Sequence, residues 1–314
     1  MTTTLRRTLA AATTLALSAC VALAEDAVDL RAELVPGEGA SWRFHQDLSL
    51  EAQMGAVDQV NIEALTFTQR FDTHVLEVEE DGTATVELVF EHIEAKYRRE
   101  DPGFSIRDAF DSAAPEAAGA GHLKRAIEPM IGTKLRVRVR PSGEIFFVGG
   151  LEGRAPTMDR AAATIFDRMF DAEALERGLG PMFRLKEHPS QEWPAEADLR
   201  VSQAREGETW LTERREASRA GEMWTHFTHT LRKVEDGVAS ISTGGRVLIR
   251  NAGLTPVSPE FNTNEVKGVA TWDVEDNALL EHTLNWRIEL QMGGDEMPII
   301  ANIVDVSHLQ RIED

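Results

Sequence analysis

A chain of 314 residues is long enough for one large or two modest domains, each able to bury its own core. Its formal charge of −20 repels phosphate backbones, and no cluster of Lys and Arg offsets it, so nucleic acid is excluded as a partner. The only cysteine, Cys20, excludes an internal disulfide framework and, once a leader is removed, a thiol nucleophile.

Residues 1–24 read as a bacterial secretory signal: Arg6 and Arg7, a charge-free Ala-rich run from Leu9 to Ala24, then Glu25-Asp26. Ala22-Leu23-Ala24 is a small-x-small cleavage site and places the mature start at Glu25. A second reading stays open, because Leu17-Ser18-Ala19-Cys20 has the form of a lipobox and would put a lipid on Cys20; against it, Val21 to Ala24 remain apolar. The paired arginines also permit twin-arginine export. No later stretch reaches the roughly 18 uncharged apolar residues of a membrane-spanning helix. The expected location is periplasmic or extracellular, with a membrane-anchored lipoprotein as the alternative.

Residues 25–154 are expected to form a first β module. Trp42, Phe44 and Leu48 fall on even positions of a strand from Ser41 to Leu50, with Gln46 interrupting the stripe. Leu65, Phe67, Phe71 and Val75 lead into an Asp81-Gly82 turn, a strong hairpin signal because Gly adopts positive φ freely. Ala84, Val86, Leu88 and Phe90 line one face of the next strand, with Thr83, Thr85, Glu87 and Glu91 on a solvated one. Asp101 to Gly121, rich in Pro, Gly, Ala and Ser, reads as a loop, and a short helix is expected from His122 to Glu128. Leu135, Val137 and Val139 alternate with Arg136, Arg138 and Arg140 before Pro141-Ser142-Gly143 turns the chain into Glu144 to Val148. Those arginines suit an anion, but pairing with nearby glutamates is the simpler expectation in so acidic a chain.

Residues 155–189 are expected to be helical. Thr157 reads as an N-cap with Asp159 in the first turn, and Ala162, Ile165, Phe166, Met169 and Phe170 share one apolar face. Asp171 reads as the cap of a second helix running to Arg177, and Pro189 and Pro194 as a connector.

Residues 190–314 are expected to form a second β module related to the first. Glu206-Gly207-Glu208-Thr209-Trp210 echoes Gly37-Glu38-Gly39-Ala40-Ser41-Trp42, and Asp236-Gly237 echoes Asp81-Gly82. Asn251 to Pro259 reads as a loop. Ala278, Leu280, His282, Leu284, Trp286, Ile288 and Leu290 then alternate with polar residues too long for a helix, and Ile299 to Leu309 closes the chain as a strand. The fold class is therefore mainly β (α+β): two related curved antiparallel sheets or half-barrels with a helical segment between them.

Chemistry is harder to find. His226 and His229, three apart on a strand, point to opposite faces and cannot share a metal; no metal site and no cofactor are expected. His282 falls on the apolar face as a core histidine. No nucleophile elbow, phosphate loop or dinucleotide fingerprint occurs, and no catalytic residue is assigned.

Phe110-Asp111-Ser112, Ile131-Gly132-Thr133-Lys134-Leu135, Arg140-Pro141-Ser142-Gly143-Glu144-Ile145, Gly207-Glu208-Thr209-Trp210, Val234-Glu235-Asp236-Gly237 and Thr271-Trp272-Asp273-Val274-Glu275-Asp276 run through most of the mature chain. In these motifs it resembles an uncharacterised family of exported bacterial proteins, known as a domain of unknown function. The motifs are turn and strand signatures, so the resemblance implies fold and transfers no site residue; Asn277 departs from it where Gly is usual. The reading that follows is a non-enzymatic envelope or periplasmic binding or scaffolding module, with an apolar small molecule or an envelope component as partner. Phe166, Met169, Trp272 and Trp286 are the candidate lining residues. The alternative is a hydrolase of envelope or extracellular polymer, acting through carboxylates that the sequence does not single out.

Overall fold

Period-two alternation gives long strands when one row of side chains must leave water and the other must stay in it. The computed structural model describes residues 27–54, 60–118, 121–151, 158–170, 172–186, 203–218, 221–250, 260–292 and 299–313. The first module contributes β1 (Ala27–Asp29), β2 (Gly39–Met54), β3 (Val60–Val78), β4 (Ala84–Asp101), β5 (Phe104–Asp111), β6 (Lys134–Val139) and β7 (Ile145–Gly149). The second contributes β8 (Gln203–Arg205), β9 (Thr209–Ser218), β10 (Gly221–Glu235), β11 (Val238–Arg250), β12 (Glu260–Asp273), β13 (Ala278–Met292) and β14 (Ile299–Ile312). The helices are α1 (His122–Ile127), α2 (Arg160–Phe170) and α3 (Ala172–Leu179). The fold is mainly antiparallel β, as the alternation predicts. The leader with Cys20, Thr157, Asp171, the Pro189–Pro194 connector and the loop from Asn251 lie outside the described residues.

Whether the halves stand apart is decided by one pairing. β14 lies antiparallel against β2 from Ile299 opposite Met54 to Ile312 opposite Ser41. The result is one 12-stranded sheet in the order β7-β6-β4-β3-β2-β14-β13-β12-β11-β10-β9, with β5 sharing the outer edge of β4 beside β6. The lead-in strands pair too, Ala27 opposite Arg205 and Asp29 opposite Gln203. Because β1 feeds the middle of the sheet and β8 its far edge, this pairing draws β9 round towards β2 and curls the second module into a trough. Curvature also needs room: a Cβ on Gly268 would meet the Thr283 carbonyl at 2.6 Å, and one on Gly245 the His226 carbonyl at 2.7 Å.

The modules repeat in their backbones more closely than in their sequences. The Gly37 amide donates to the Val75 carbonyl at 2.9 Å and the Val75 amide to the Glu38 carbonyl at 2.9 Å; Gly207 to Leu231 and Leu231 to Glu208 repeat this at 2.7 and 3.1 Å. One residue further on, each strand carries a bulge, between Val75 and Glu77 in β3 and between Leu231 and Lys233 in β10. The Asp-Gly corners join equivalent strands, and each is backed by the next hairpin, Pro141 beside Gly82 and the Val274 amide donating to Gly237 at 2.9 Å. Their turns differ. Asp236 and Gly237 both have positive φ, at 51° and 77°, as a two-residue hairpin turn requires, whereas only Gly82 does so in the longer first corner. The echoing tryptophans sit two places out of register, five residues after Gly37 but three after Gly207, so Trp42 donates to Thr73 and Trp210 to the Leu185 carbonyl.

Four local expectations are corrected. Asp101 to Gly121 is not all loop: Pro102-Gly103, with Gly103 at φ 81°, reverses the chain into β5. As an edge strand β5 buries only Phe110, which hid its alternation. Asp159 is itself the cap of α2, accepting at Oδ1 from the Ala161 and Ala162 amides, both at 3.0 Å. In β13 a bulge opposite Thr271 and Trp272 shifts the register, so Leu279 is fully buried while Leu280 is not. Glu87 also departs from its expected solvated face: it is buried and takes Lys134 at 2.7 Å.

The helices fill the concave face of the first module. Phe170 of α2 meets Phe90 edge-on at 5.5 Å, Phe90 meets Phe71 at 5.8 Å, and Leu123, Ala126 and Ile127 of α1 are wholly buried beneath them. Losing a buried Phe costs roughly 3–5 kcal/mol, against about 1 kcal/mol or less for a partly exposed ion pair. Packing therefore holds α2, and the ion pair of Arg168 with Glu63 on β3 sets its orientation. Glu63 also accepts from Tyr97 at 3.0 Å.

Two outcomes follow. Nothing lies within 4 Å of a Cβ at Gly37 or Gly207, yet both have positive φ, at 89° and 81°. Gly37→Ala and Gly207→Ala should each lower stability by about 1–2 kcal/mol through backbone strain alone, read by urea unfolding. Tyr97 is the only tyrosine, and burial, then the Glu63 charge, push its phenol up to about 12. Ultraviolet titration of the folded protein should show no more than about a tenth of the phenolate at pH 11, and Glu63→Gln should bring its appearance earlier. A phenolate forming near pH 10 in the parent would contradict this environment.

Candidate functional site

Past the helices the trough is not filled by described elements. A cavity of about 1380 Å³ lies between the inner face of β2, β3, β9 to β11, β13 and β14 and the helical segment from Thr164 to Leu185. Pockets for drug-sized ligands run roughly 300–1,000 Å³, so the space exceeds what one compact small molecule needs.

The wall follows from strand register, because inward residues of neighbouring strands form rows across the sheet. Trp286 pairs across to Asp305 and Val266, Ile288 to Ile303, and Leu290 to Ala301. With Phe227, Val247 and Leu284 these make a second apolar cluster, separate from the main core, with Leu50 and Met223 packed against it. Phe227 meets Trp286 edge-on at 5.8 Å. The neighbouring rows are polar. Gln46 crosses the seam between β2 and β14 to donate to both Asp305 oxygens, at 2.8 and 3.0 Å. His229 is held between Thr212 (2.8 Å) and Thr243 (2.9 Å) and stacks on Trp210 at 5.4 Å. Arg214 lies over the Phe227 ring at 5.7 Å. The wall is thus an apolar stripe beside a band of hydrogen-bonding groups.

Electrostatics keep that band neutral where it titrates. Burial pushes His229 down to about 4, and burial followed by the fields of His229, Arg214 and His308 does the same to His282. His282 makes no side-chain hydrogen bond to any described residue, while its inward neighbour across β14 is the buried Leu309. Gln69, 3% exposed between Phe67 and Phe71, likewise leaves its amide nitrogen without a partner among the described residues.

Of the four candidate lining residues, Met169 and Trp286 border the cavity. Phe166 and Trp272 do not: both belong to the main core, Phe166 stacked on Phe170 at 5.4 Å and Trp272 fully buried. Trp272 faces inward like Val266, six residues earlier on β12, but lies opposite Leu279 at the packed end of the strand. His226 and His229 do point to opposite faces, His226 outward to Glu213 at 3.4 Å, and no three His, Cys, Asp or Glu side chains converge as a metal site among the described residues. Of the three alternating arginines, Arg138 on β6 is spent on Glu79, and Arg140 just after the strand on Glu144. Gln69, Arg214 and Asp305 are not singled out by sequence reasoning, His229 enters it only as a rejected metal ligand, and Gln46 only as a break in a stripe. The available signal was the polar residue breaking an apolar stripe, seen at Gln46.

Because the folded histidines titrate near 4 and an unfolded one near 6.5, the unfolded chain binds more protons between those values, and stability should fall as pH drops through that window. Each should contribute on the order of 1–2 kcal/mol to the loss between pH 7.5 and 5. Urea unfolding of the His229→Gln/His282→Gln double variant should show a flatter pH dependence than the parent; parallel curves would contradict the assignment.

No protein-family model matches the chain, and no curated protein does. Among solved structures it is similar to one described as lipid–protein interactions in lipovitellin, with a TM-score of 0.42, 11% identity and 90% of this chain covered. It is also similar to DynF from the dynemicin biosynthesis pathway of Micromonospora chersina (TM-score 0.20, 6% identity, covering 90% of this chain and 83% of that one). A third is an outer membrane channel from Pseudomonas putida F1 (TM-score 0.22, 7% identity, covering 90% and 98%). This chain spans 26% of the lipovitellin chain.

Proposed function

We propose that the protein is an exported, non-enzymatic binding module of the cell envelope that holds an apolar ligand in the trough of its second module. The observation that carries this reading is the sorting of the sheet's two faces. Inside, Leu284, Trp286 and Ile288 border the cavity, and Leu290 and Val247 continue their apolar cluster. Outside, the same strands carry Arg43, Asp47 and Glu51 on β2 and Glu281, Arg287 and Glu289 on β13. A barrel spanning a bilayer turns its apolar band outward, so this sheet is built to bring apolar matter to itself. No helix among the described residues is long and apolar enough to cross a membrane.

The hydrolase reading lacks such support. On the concave face Glu63 is tied to Arg168 and Tyr97, and Asp305 is tied to Gln46. Neither is poised as an acid or base.

Native mass spectra of protein purified from its own envelope fraction should show co-purified lipid. Ile303→Glu, which sets a carboxylate on the partly exposed apolar stripe, should lower that occupancy about tenfold with the near-ultraviolet circular dichroism unchanged. The same spectra should give Glu25 as the first residue; a lipidated Cys20 would replace soluble export by anchoring. A protein that is empty and binds no apolar dye would sink the carrier reading.

A further inference from the structure

Resting on the carrier reading, we propose that the ligand is an amphipath with a neutral, hydrogen-bonding head of the alcohol, ester or amide class, seated on the inward row that runs Gln69, Phe44, Leu309, His282. Register places these four side by side across β3, β2, β14 and β13, and all four border the cavity. The row lies at the closed end of the apolar stripe, so a head bound there leaves its tail along Leu284, Trp286 and Ile288.

The head's chemistry follows from which polar groups remain unused. Among the wall's charged groups, Asp305 holds Gln46, Arg168 holds Glu63, and Arg214 has interactions of its own. His229 spends both ring nitrogens on threonine hydroxyls. On this row the groups left are the Gln69 carboxamide, whose nitrogen is buried and unpartnered among the described residues, and the His282 ring, which makes no hydrogen bond to a described residue. An unmade hydrogen bond at a buried amide costs about 1–3 kcal/mol, a penalty that a ligand accepting from it would relieve. A half-turn of the carboxamide presents either its donor or its acceptor, and a neutral imidazole offers one of each. Burial keeps the ring neutral at ordinary pH. A hydroxyl, ester or amide matches such a pair, whereas a carboxylate or phosphate would give up its hydration for a row, Gln69, Phe44, Leu309 and His282, that carries no positive side chain of its own.

The test uses the full mature chain and displacement of a bound apolar dye, N-phenyl-1-naphthylamine, by three probes: monoolein, oleate and hexadecane. Monoolein should bind at least tenfold tighter than oleate at pH 7.5. Gln69→Leu and His282→Leu should each weaken monoolein at least fivefold and leave hexadecane unchanged, while His282→Gln, which keeps a donor and an acceptor, should retain most of the affinity. Oleate binding as tightly as monoolein, or monoolein indifferent to both leucine variants while hexadecane still displaces the dye, would overturn the neutral-head proposal and leave the carrier reading standing. If dye and hexadecane do not bind at all, the carrier reading falls and this proposal with it.

Discussion

The pairing of the last strand with the first long one governs everything else in the molecule. β14 and β2 are more than two hundred residues apart in the chain, yet they match from Ile312 against Ser41 to Ile299 against Met54. A contact of that separation is costly in chain entropy and gains its return only once the sheets on either side exist. It is kept in register by what lies on it: Gln46 reaching Asp305, and Phe44 beside Leu309. A slip by one residue would set the apolar row of one strand on the face opposite its partner's. Because the seam runs through the cavity wall, the trough exists only in the joined sheet.

Elements governed by neighbours in sequence were legible, and those governed by distant ones were not. The hairpins around Asp81-Gly82, Pro141-Gly143 and Asp236-Gly237, the apolar rows of β4 and β13, and the helix at Phe166 to Phe170 each follow from local periodicity and turn chemistry. The repeat was legible as an order of motifs, although its real identity is the docking of Gly37 on Val75 and of Gly207 on Leu231, where the two sequences share almost nothing else. The seam between β2 and β14 was invisible because no local pattern names a strand's partner. The bulge at Leu280 was invisible because alternation reads the same with one residue looped out until the partner strand is known.

Position along the strands explains why the site was half legible. Trp272 and Trp286 look alike in sequence, each an aromatic residue in an alternating strand. Trp286 faces Val266 on the cavity wall, whereas Trp272, six residues further along β12, faces Leu279 at the packed end. Phe166 and Met169 diverge for a simpler reason: three residues along a helix is short of a full turn, so Phe166 turns to Phe170 in the core while Met169 reaches the cavity. The polar band could be read only after register put Gln69 and His282 on one row.

Duplication alone makes two similar troughs, so the asymmetry between them has to come from the connections. In the first module the chain between β4 and β6 runs through residues 102–133 and folds into β5 and α1, which cover the concave face together with α2. In the second, the equivalent connection between β11 and β12 is residues 251–259, too short to supply a comparable layer. An apolar face of Trp286, Ile288, Leu290 and Val247 has then been given the curvature of a core without the helices that would complete one. Those four side chains are nevertheless buried, and Trp286 and Ile288 among them still border the cavity. Under the carrier proposal a guest would occupy in the second module the place that α1 and α2 occupy in the first, against a polar row with unused hydrogen-bonding capacity.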